Sequence, residues 1–295
     1  MSARFTVLLS TYNGEKYLAE QLESILSQSP APDIILARDD GSTDGTADIL
    51  NAYATAGKLT LLPSGHLGFL ESFHTLLKAA DGDSFFAFAD QDDVWLPGKL
   101  ARAAEYLQKG DPAEPRLYHA AYRMVREDLT PIRDFLPKKP PFTFRRALTE
   151  NVCSGFALSG NAALRSAMLS FDWTALDYHD WLAGAVALAF GSAYFDPEIF
   201  ALHRRIPTSV TADSSLKGVR WVRNALRADT NMKKRNVAFY ACYGDKLAGE
   251  DAACAELFAS FDSRARLKKA FYPKRWRYGL PDEIAVRLAM LSGTL

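Results

Sequence analysis

Long apolar runs are what this chain most plainly lacks. Across 295 residues no stretch is long and apolar enough to cross a bilayer, and the first run, FTVLLS, gives way to polar sequence at Thr11. Neither a membrane span nor a signal peptide is expected, so the chain reads as a soluble, cytoplasmic protein. Cysteine is scarce: Cys153, Cys242 and Cys254 stand far apart, without the Cys-x-x-Cys spacing of a metal or redox site. Three reduced thiols in a reducing compartment follow. Neither sign of charge is in excess, because 35 Lys and Arg meet 35 Asp and Glu. That balance gives no reason to expect a polyanionic partner, and no nucleic-acid-binding motif is present. Gly-x-Gly-x-x-Gly and the Walker lysine motif are missing too, which argues against a dinucleotide enzyme or an ATPase.

What is present is an alternation of two periodicities over the first hundred residues. Short apolar runs at 5–10, 33–37, 59–62 and 84–90 suit buried parallel strands. Between them, apolar residues at helical spacing predict helices over 16–28, 46–54 and 69–80, the last with Phe69, Phe73, Leu76 and Leu77 on one face. Pro97 is expected to open a further helix, where its missing N–H is harmless. Strand and helix in series argue an α/β fold, an open, doubly wound and mostly parallel sheet with helices on both faces. The middle is less regular. Strands are expected over 117–125, at SAYFD and at IFALHR, with a proline-rich exposed loop over 130–144 and a helix over 179–190. Residues 153–164 read as a strand running into a helix that starts near Asn161.

Three predicted strands end in distinctive polar loops: STYNGE after the first, RDDGSTDGT after the second, and DQDDVW after the fourth. In open α/β sheets, ligands bind beyond the carboxyl ends of the strands. Asp44 and Gly45 suit a capping turn, but two successive carboxylates at Asp39 and Asp40 exceed what a turn needs. Either is a candidate to accept from a ligand donor such as a nucleobase. A short acidic run such as DQDD is most often a solvated loop. Here it lies between a Phe-rich strand and Trp95, where crowded carboxylates suit a hard divalent cation completed by phosphate oxygens. Further on, YHDW places Asp180 among His179 and aromatic residues. Either an N-cap or a desolvated general base fits that setting.

Taken in order, LLSTYNGEKYLAEQLESILSQ, ARDDGSTDGT, FADQDDVWLPGKL, SGFALSGNAAL and YHDW resemble family 2 glycosyltransferases of the GT-A fold, over residues 4–211. DQDDVWLP with a later HDW is most similar to bacterial rhamnosyltransferase-type members that build surface polysaccharides. The resemblance implies a nucleoside-diphosphate sugar donor, a divalent cation (Mg²⁺ or Mn²⁺), and inverting transfer to a saccharide or lipid-linked glycan acceptor. It places Thr11, Tyr12 and Asn13 in a nucleotide-contacting loop and Asp39 and Asp40 at the base. Asp90 and Gln91 fall at the ribose end of the Asp-x-Asp motif, Asp92 at the metal and diphosphate, and Asp180 at the catalytic base. One position departs: Ile206 in HRRIPTS stands where such members carry a His that helps hold metal or diphosphate. His203, Arg204 and Arg205 are the substitutes at hand, Arg204 as a diphosphate clamp. The departure also motivates an alternative, a catalytically weakened carbohydrate-binding or scaffold member. A nucleotidyltransferase is disfavoured because STYNGE has only Lys16 close by for a triphosphate.

The expected organisation is a catalytic domain over 1–212 and a helical extension over 213–295. From residue 201 onward there are 18 Lys and Arg against 9 Asp and Glu, and before it 17 against 26. Residues 263–279 hold seven of those bases, no acid, and Phe271, Tyr272, Trp276 and Tyr278. That composition fits a solvated helical extension with its aromatics on the core. It also fits a peripheral contact with anionic lipid, at the inner face of the cell membrane.

Overall fold

The computed structural model describes residues 4–136, 142–206 and 230–295. The early apolar runs form β1 (Phe5–Thr11), β2 (Ile34–Asp39), β3 (Thr60–Leu61) and β4 (Phe85–Asp90), linked through α1 (Glu15–Leu26), α2 (Thr46–Thr55) and α3 (Phe69–Ala79). These strands lie parallel in the order β3-β2-β1-β4. A strand covered on both faces must send apolar side chains both ways, which is why the runs do not alternate. Val7 and Leu9 join a core with Leu18, Leu22 and Ile25 of α1, while Leu8 joins a second core with Phe73, Leu76 and Leu77 of α3. Phe69 does not follow its helical partners inward and stays exposed.

The sheet continues as a mixed one, through β5 (Val94–Trp95), β6 (Arg116–Val125), β7 (Pro131–Phe135), β8 (Leu158–Gly160) and β9 (Ser192–Arg204). From β4 the order is β8, β6, β9, β5, with β7 added on β6, and only the β6–β9 pair in this half is parallel. Around it stand α4 (Lys99–Leu107), α5 (Phe144–Ala147), α6 (Ala162–Leu169) and α7 (His179–Phe190). Three expectations change here. Pro97 does not open α4; Gly98, in the left-handed region at φ 89°, precedes its first residue. SAYFD and IFALHR are one strand, because Ala120 pairs Asp196 and the next residue, Ala121, pairs Ile199, leaving Pro197 and Glu198 in a bulge. Bulges accommodate proline, since no ladder bond is asked of it. The proline-rich loop over 130–144 contributes β7 at its start, with Pro131 as the first residue of the strand, and residues 137–141 lie outside the described ones.

The C-terminal residues form α8 (Thr230–Tyr243), α9 (Gly249–Ala259), α10 (Ser263–Ala270) and α11 (Leu280–Ser292). They share the core of the α3 face. The Phe239 ring lies 5.1 Å from Phe144, 6.0 Å from Trp181 and 6.4 Å from Phe190. The expected boundary at 212 falls outside the described residues. No described helix is long and apolar enough to cross a membrane.

Candidate active site

The loops after β1 and β2 are tied to each other before any ligand is considered. Thr11, buried at the end of β1, donates from Oγ1 to Asp39 Oδ1 (2.9 Å). Asp39 also accepts from the Gly41 and Ser42 N–H groups and from the Ser42 hydroxyl. Asn13 sits at φ 50°, a left-handed conformation that Asn tolerates, and its Oδ1 accepts from the Thr43 N–H (2.8 Å). Asp40 pairs with Arg38 (2.8 Å) and accepts from the Leu67 and Gly68 N–H groups at the start of α3. Burial would raise the Asp40 carboxyl, but those N–H donors and the Arg38 guanidinium hold it below the usual range. Asp39 and Asp40, the candidates for the nucleobase, have their oxygens engaged by protein donors, because buried carboxylates recruit whatever N–H groups the chain offers. Tyr12 is the open member of this group, with its ring exposed and 5.7 Å from that of His66.

The DQDD loop joins this assembly through Gln91. Its amide accepts from the Tyr12 N–H (2.7 Å) and donates to the Tyr12 carbonyl (2.8 Å), locking the first and third loops together. Gly14 makes room for it, since a Cβ there would lie 2.3 Å from Gln91 Oε1. Asp90 is pushed up to about 8 by burial and by the charges of Asp93 and Asp92. Asp92 is pushed up to about 6 by burial and by Asp93. Asp93 is fully buried, its Oδ1 accepting from His203 Nδ1 at 2.8 Å while Oδ2 has no partner. Burial alone would lower the His203 imidazole, but Asp93, Asp90 and Asp92 together raise it to about 9. It is an imidazolium at neutral pH, stacked 4.3 Å from the Phe156 ring. Beneath the loop, Lys99 is buried, donates to the Phe156 carbonyl (2.6 Å), and is dragged by burial down to about 7.

Arg204, the candidate diphosphate clamp, has its guanidinium engaged by protein acceptors. Its three guanidinium nitrogens donate to the Asp92 carbonyl (2.9 Å), the Glu127 carbonyl (3.2 Å) and the Glu20 carboxylate, and it lies over the Tyr17 ring. With its nitrogens so engaged and its side chain buried, Arg204 anchors the backbone of the acidic loop. A surface groove of about 530 Å³ includes Arg204, Lys16, Tyr17 and Glu20 among its lining residues but none of the candidate carboxylates. Ile206 is described and carries no titratable group, while the rest of HRRIPTS beyond it lies outside the described residues.

Asp180 stands in the first turn of α7, held by three donors: Asn151 Nδ2 (2.9 Å), the Trp181 N–H (2.8 Å) and the Gly155 N–H (3.1 Å). Burial raises it to about 6 against those bonds. Its charge is one of those that raise Asp90, so α7 and the end of β4 converge. His179 beside it points into the core, 4.3 Å from Phe88 and 4.5 Å from Phe73, where burial lowers it to about 3. The segment carrying Asn151 and Gly155 is itself pinned by the C-terminal helices. Asn236 Nδ2 donates to the Leu148 carbonyl (2.9 Å), Thr149 Oγ1 to the Trp276 carbonyl (3.0 Å), and Arg277 to the Thr149 carbonyl (2.5 Å). Sequence reasoning missed Asn151, Gly155, the Asp93–His203 pair and Lys99. Of these only His203 had a signal, as one of the substitutes at hand for the His absent at Ile206, and its pairing with Asp93 had none.

Among the described residues no three His, Cys, Asp or Glu side chains form a closed metal cage. The acidic loop nonetheless fits a cation that keeps positions open for phosphate: its carboxylates repel one another, and a buried Asp93 oxygen is unsatisfied.

A parallel-rich sheet with acidic loops at its strand ends, extended by an antiparallel part that brings a helix-borne Asp alongside, defines a GT-A glycosyltransferase fold. The chain belongs to a particular family within it: the model for Glycosyl transferase family 2 matches residues 6–170, more than half its length. Among curated proteins it is similar to the dTDP-rhamnosyl transferase RfbG of Shigella flexneri, 34% identical over 105 residues, 34% of this chain and 36% of that protein. The putative teichuronic acid biosynthesis glycosyltransferase TuaG of Bacillus subtilis (strain 168) is 28% identical over 154 residues, 50% of this chain and 58% of that one. The chain thus spans about a third to three-fifths of these relatives. Two solved structures share the fold. S. aureus TarS 1-349 in complex with UDP-GlcNAc has a TM-score of 0.56 at 20% identity, covering 98% of this chain and 91% of that one. The mannosyltransferase PcManGT of Pyrobaculum calidifontis with GDP-Man and Mn²⁺ has a TM-score of 0.54 at 16% identity, covering 99% and 86%.

Proposed function

We propose that this chain transfers a sugar from a nucleoside-diphosphate sugar to a hydroxyl of a saccharide or lipid-linked glycan, with inversion, in surface polysaccharide synthesis. The observation that carries the reading is Asp180: a carboxylate set beside the acidic loop, ionised at neutral pH, and held in one orientation by three donors. A base near 6 accepts a proton from an acceptor hydroxyl while remaining charged in the resting enzyme. Tyr12 offers an exposed ring for the nucleobase, and the coupled first and third loops, through Thr11, Asn13, Asp39, Asp40 and Gln91, keep its backbone in place. Asp90 faces the ribose side and Asp92 would hold Mg²⁺ or Mn²⁺. When bound, the cation would stabilise the charge on the departing diphosphate. The His203 imidazolium, paired to Asp93, lends the loop positive charge, which answers the lack of a His at 206. Arg204 holds the loop from below.

The unit proposed for this work is the domain over 1–212 braced by the extension over 213–295, as a cytoplasmic enzyme. Rhamnose is the first donor sugar to try, on the likeness to the rhamnosyl transferase from Shigella flexneri. A lipid-linked acceptor would bring the enzyme to the inner face of the cell membrane, and the basic segment 263–279 is the candidate for that contact. A thermal-shift screen of dTDP-, UDP- and GDP-sugars with and without Mn²⁺ tests the donor, because a ligand of the native state raises stability by mass action. Absence of any metal-dependent shift would refute the enzyme reading. Binding without turnover would instead support the weakened carbohydrate-binding member, and proton NMR of the product's anomeric centre decides inversion.

A further inference from the structure

The segment expected to touch lipid is rearranged by the fold. Trp276 is fully buried and Tyr272 and Tyr278 are partly so, leaving Phe271 as its one exposed ring. Lys269 is buried and donates to the Ser260 carbonyl, while Lys274 pairs with Glu250. In place of the expected aromatics, an aliphatic row appears on the next helix. Leu280, Ile284, Leu288 and Leu291 of α11, spaced to share one helical face, are between 45% and 53% exposed. Leu267 of α10 and Phe271, which caps its C-terminus, are 54% and 72% exposed. The two helices are joined where Arg287 donates to the carbonyls of Ala270 and Lys274, so the exposed residues flank a common seam. No described residue covers them.

We propose that α10 and α11 together dock on an anionic lipid bilayer, with the aliphatic row of α11 and Phe271 entering the interface. Charge selects this occupant over a second copy of the chain. Arg264, Leu267, Lys268 and Phe271 stand at helical spacing on one side of α10, so cationic and apolar side chains alternate on a single surface. Lys268 and Arg275 are exposed without an ion-pair partner among the described residues, and Arg264 lies by the capping Asp262. At the seam itself Glu283 is occupied, pairing with Arg287 and accepting from the Trp276 and Arg277 N–H groups. A surface of apolar side chains edged by unpaired cations matches headgroups over acyl chains, and repels a copy of itself. This surface is separate from the catalytic reading and needs neither donor nor acceptor to act.

Co-sedimentation of the intact chain with vesicles tests it, in phosphatidylcholine alone and in phosphatidylcholine mixed with phosphatidylglycerol. Binding is expected to the mixed vesicles, weakening as salt shortens the screening length. The double variant Ile284→Asp/Leu288→Asp should lose about tenfold or more in partitioning for each aliphatic group withdrawn. Lys268→Glu/Arg275→Glu should lose binding to the mixed vesicles, and both variants should melt with the parent because the altered residues are exposed. Equal binding to neutral vesicles, or binding indifferent to both double variants, overturns the proposal. So does light scattering that shows a dimer abolished by Ile284→Asp/Leu288→Asp, which would assign the face to self-association. Sugar-nucleotide binding, measured without vesicles, stands or falls independently.

Discussion

Replacing Asn151 by Ala should move the acid limb of the pH–rate profile upward. Asn151 Nδ2 donates to Asp180 Oδ1 at 2.9 Å, and a hydrogen bond to a carboxylate favours its charged form. Removing the donor leaves burial less opposed, so the Asp180 carboxyl rises further from its present value of about 6. A hydrogen bond to a charged group is worth about 1.5–3 kcal/mol. Asn151 is exposed, so water takes over part of its role and roughly 0.5–1.4 kcal/mol is the loss to expect. At about 1.4 kcal/mol per pH unit, the limb should rise by about half a unit to one unit. Transfer requires the base form, so kcat/KM should fall roughly two- to fivefold at pH 6 and little at pH 8.5. The assay is initial-rate transfer across pH 5 to 9 at saturating Mn²⁺, with Asp180→Asn as the reference for a missing base. A limb that stays put, moves to lower pH, or gives way to an equal loss at every pH would refute the assignment of Asp180 as base.

Three further outcomes follow from the same geometry. Asp92→Asn should weaken sugar-nucleotide binding about tenfold or more in Mn²⁺ and little in EDTA; calorimetry showing the same loss in both would remove Asp92 from the cation site. Gly14→Ala drives a methyl into the Gln91 amide, so the clasp on Tyr12 must open. Donor KM should rise while the midpoint of thermal unfolding falls by only a few degrees, and an unchanged KM counts against the clasp. Phe239→Ala removes a fully buried ring between α8 and α7 and should destabilise the whole chain by about 3–5 kcal/mol in a single urea transition. A second, separate transition would mean that the extension folds on its own.

The parallel half of the fold was legible because both faces of its strands are buried, so FTVLLS and FFAFAD carry their signal locally. β5 was not: two residues, Val94 and Trp95, become a strand only because Leu202 and Ala201 lie alongside, more than a hundred positions away. Pro197 split β9 on paper, and a bulge opposite Ala120 rejoined it. At the site, sequence located the carboxylates but could not tell which would be left unoccupied. Asp39 and Asp40 look as available as Asp92 in a string of letters. Backbone N–H groups of residues 41, 42, 67 and 68 bond to the first two, and their positions are a product of the fold. The partners of Arg204 were illegible for the same reason, since Glu20 and Glu127 come from two distant segments. Of the aromatics over 271–278, Trp276 lies in the core, Tyr272 and Tyr278 are half-buried and Phe271 stays exposed, because composition cannot distinguish a ring on the surface from one beneath it.

The bonds from Asn236, Trp276 and Arg277 to residues 148 and 149 give the order of synthesis a consequence. The loops around Tyr12, Asp39 and Asp92 leave the ribosome early, whereas the cradle of Asp180 stays untethered until residues 236, 276 and 277 have emerged. A product cut short in α9 would lack Trp276 and Arg277, two of the three residues that tie down positions 148 and 149. On the proposed function, such a fragment would lack the braced base that transfer needs.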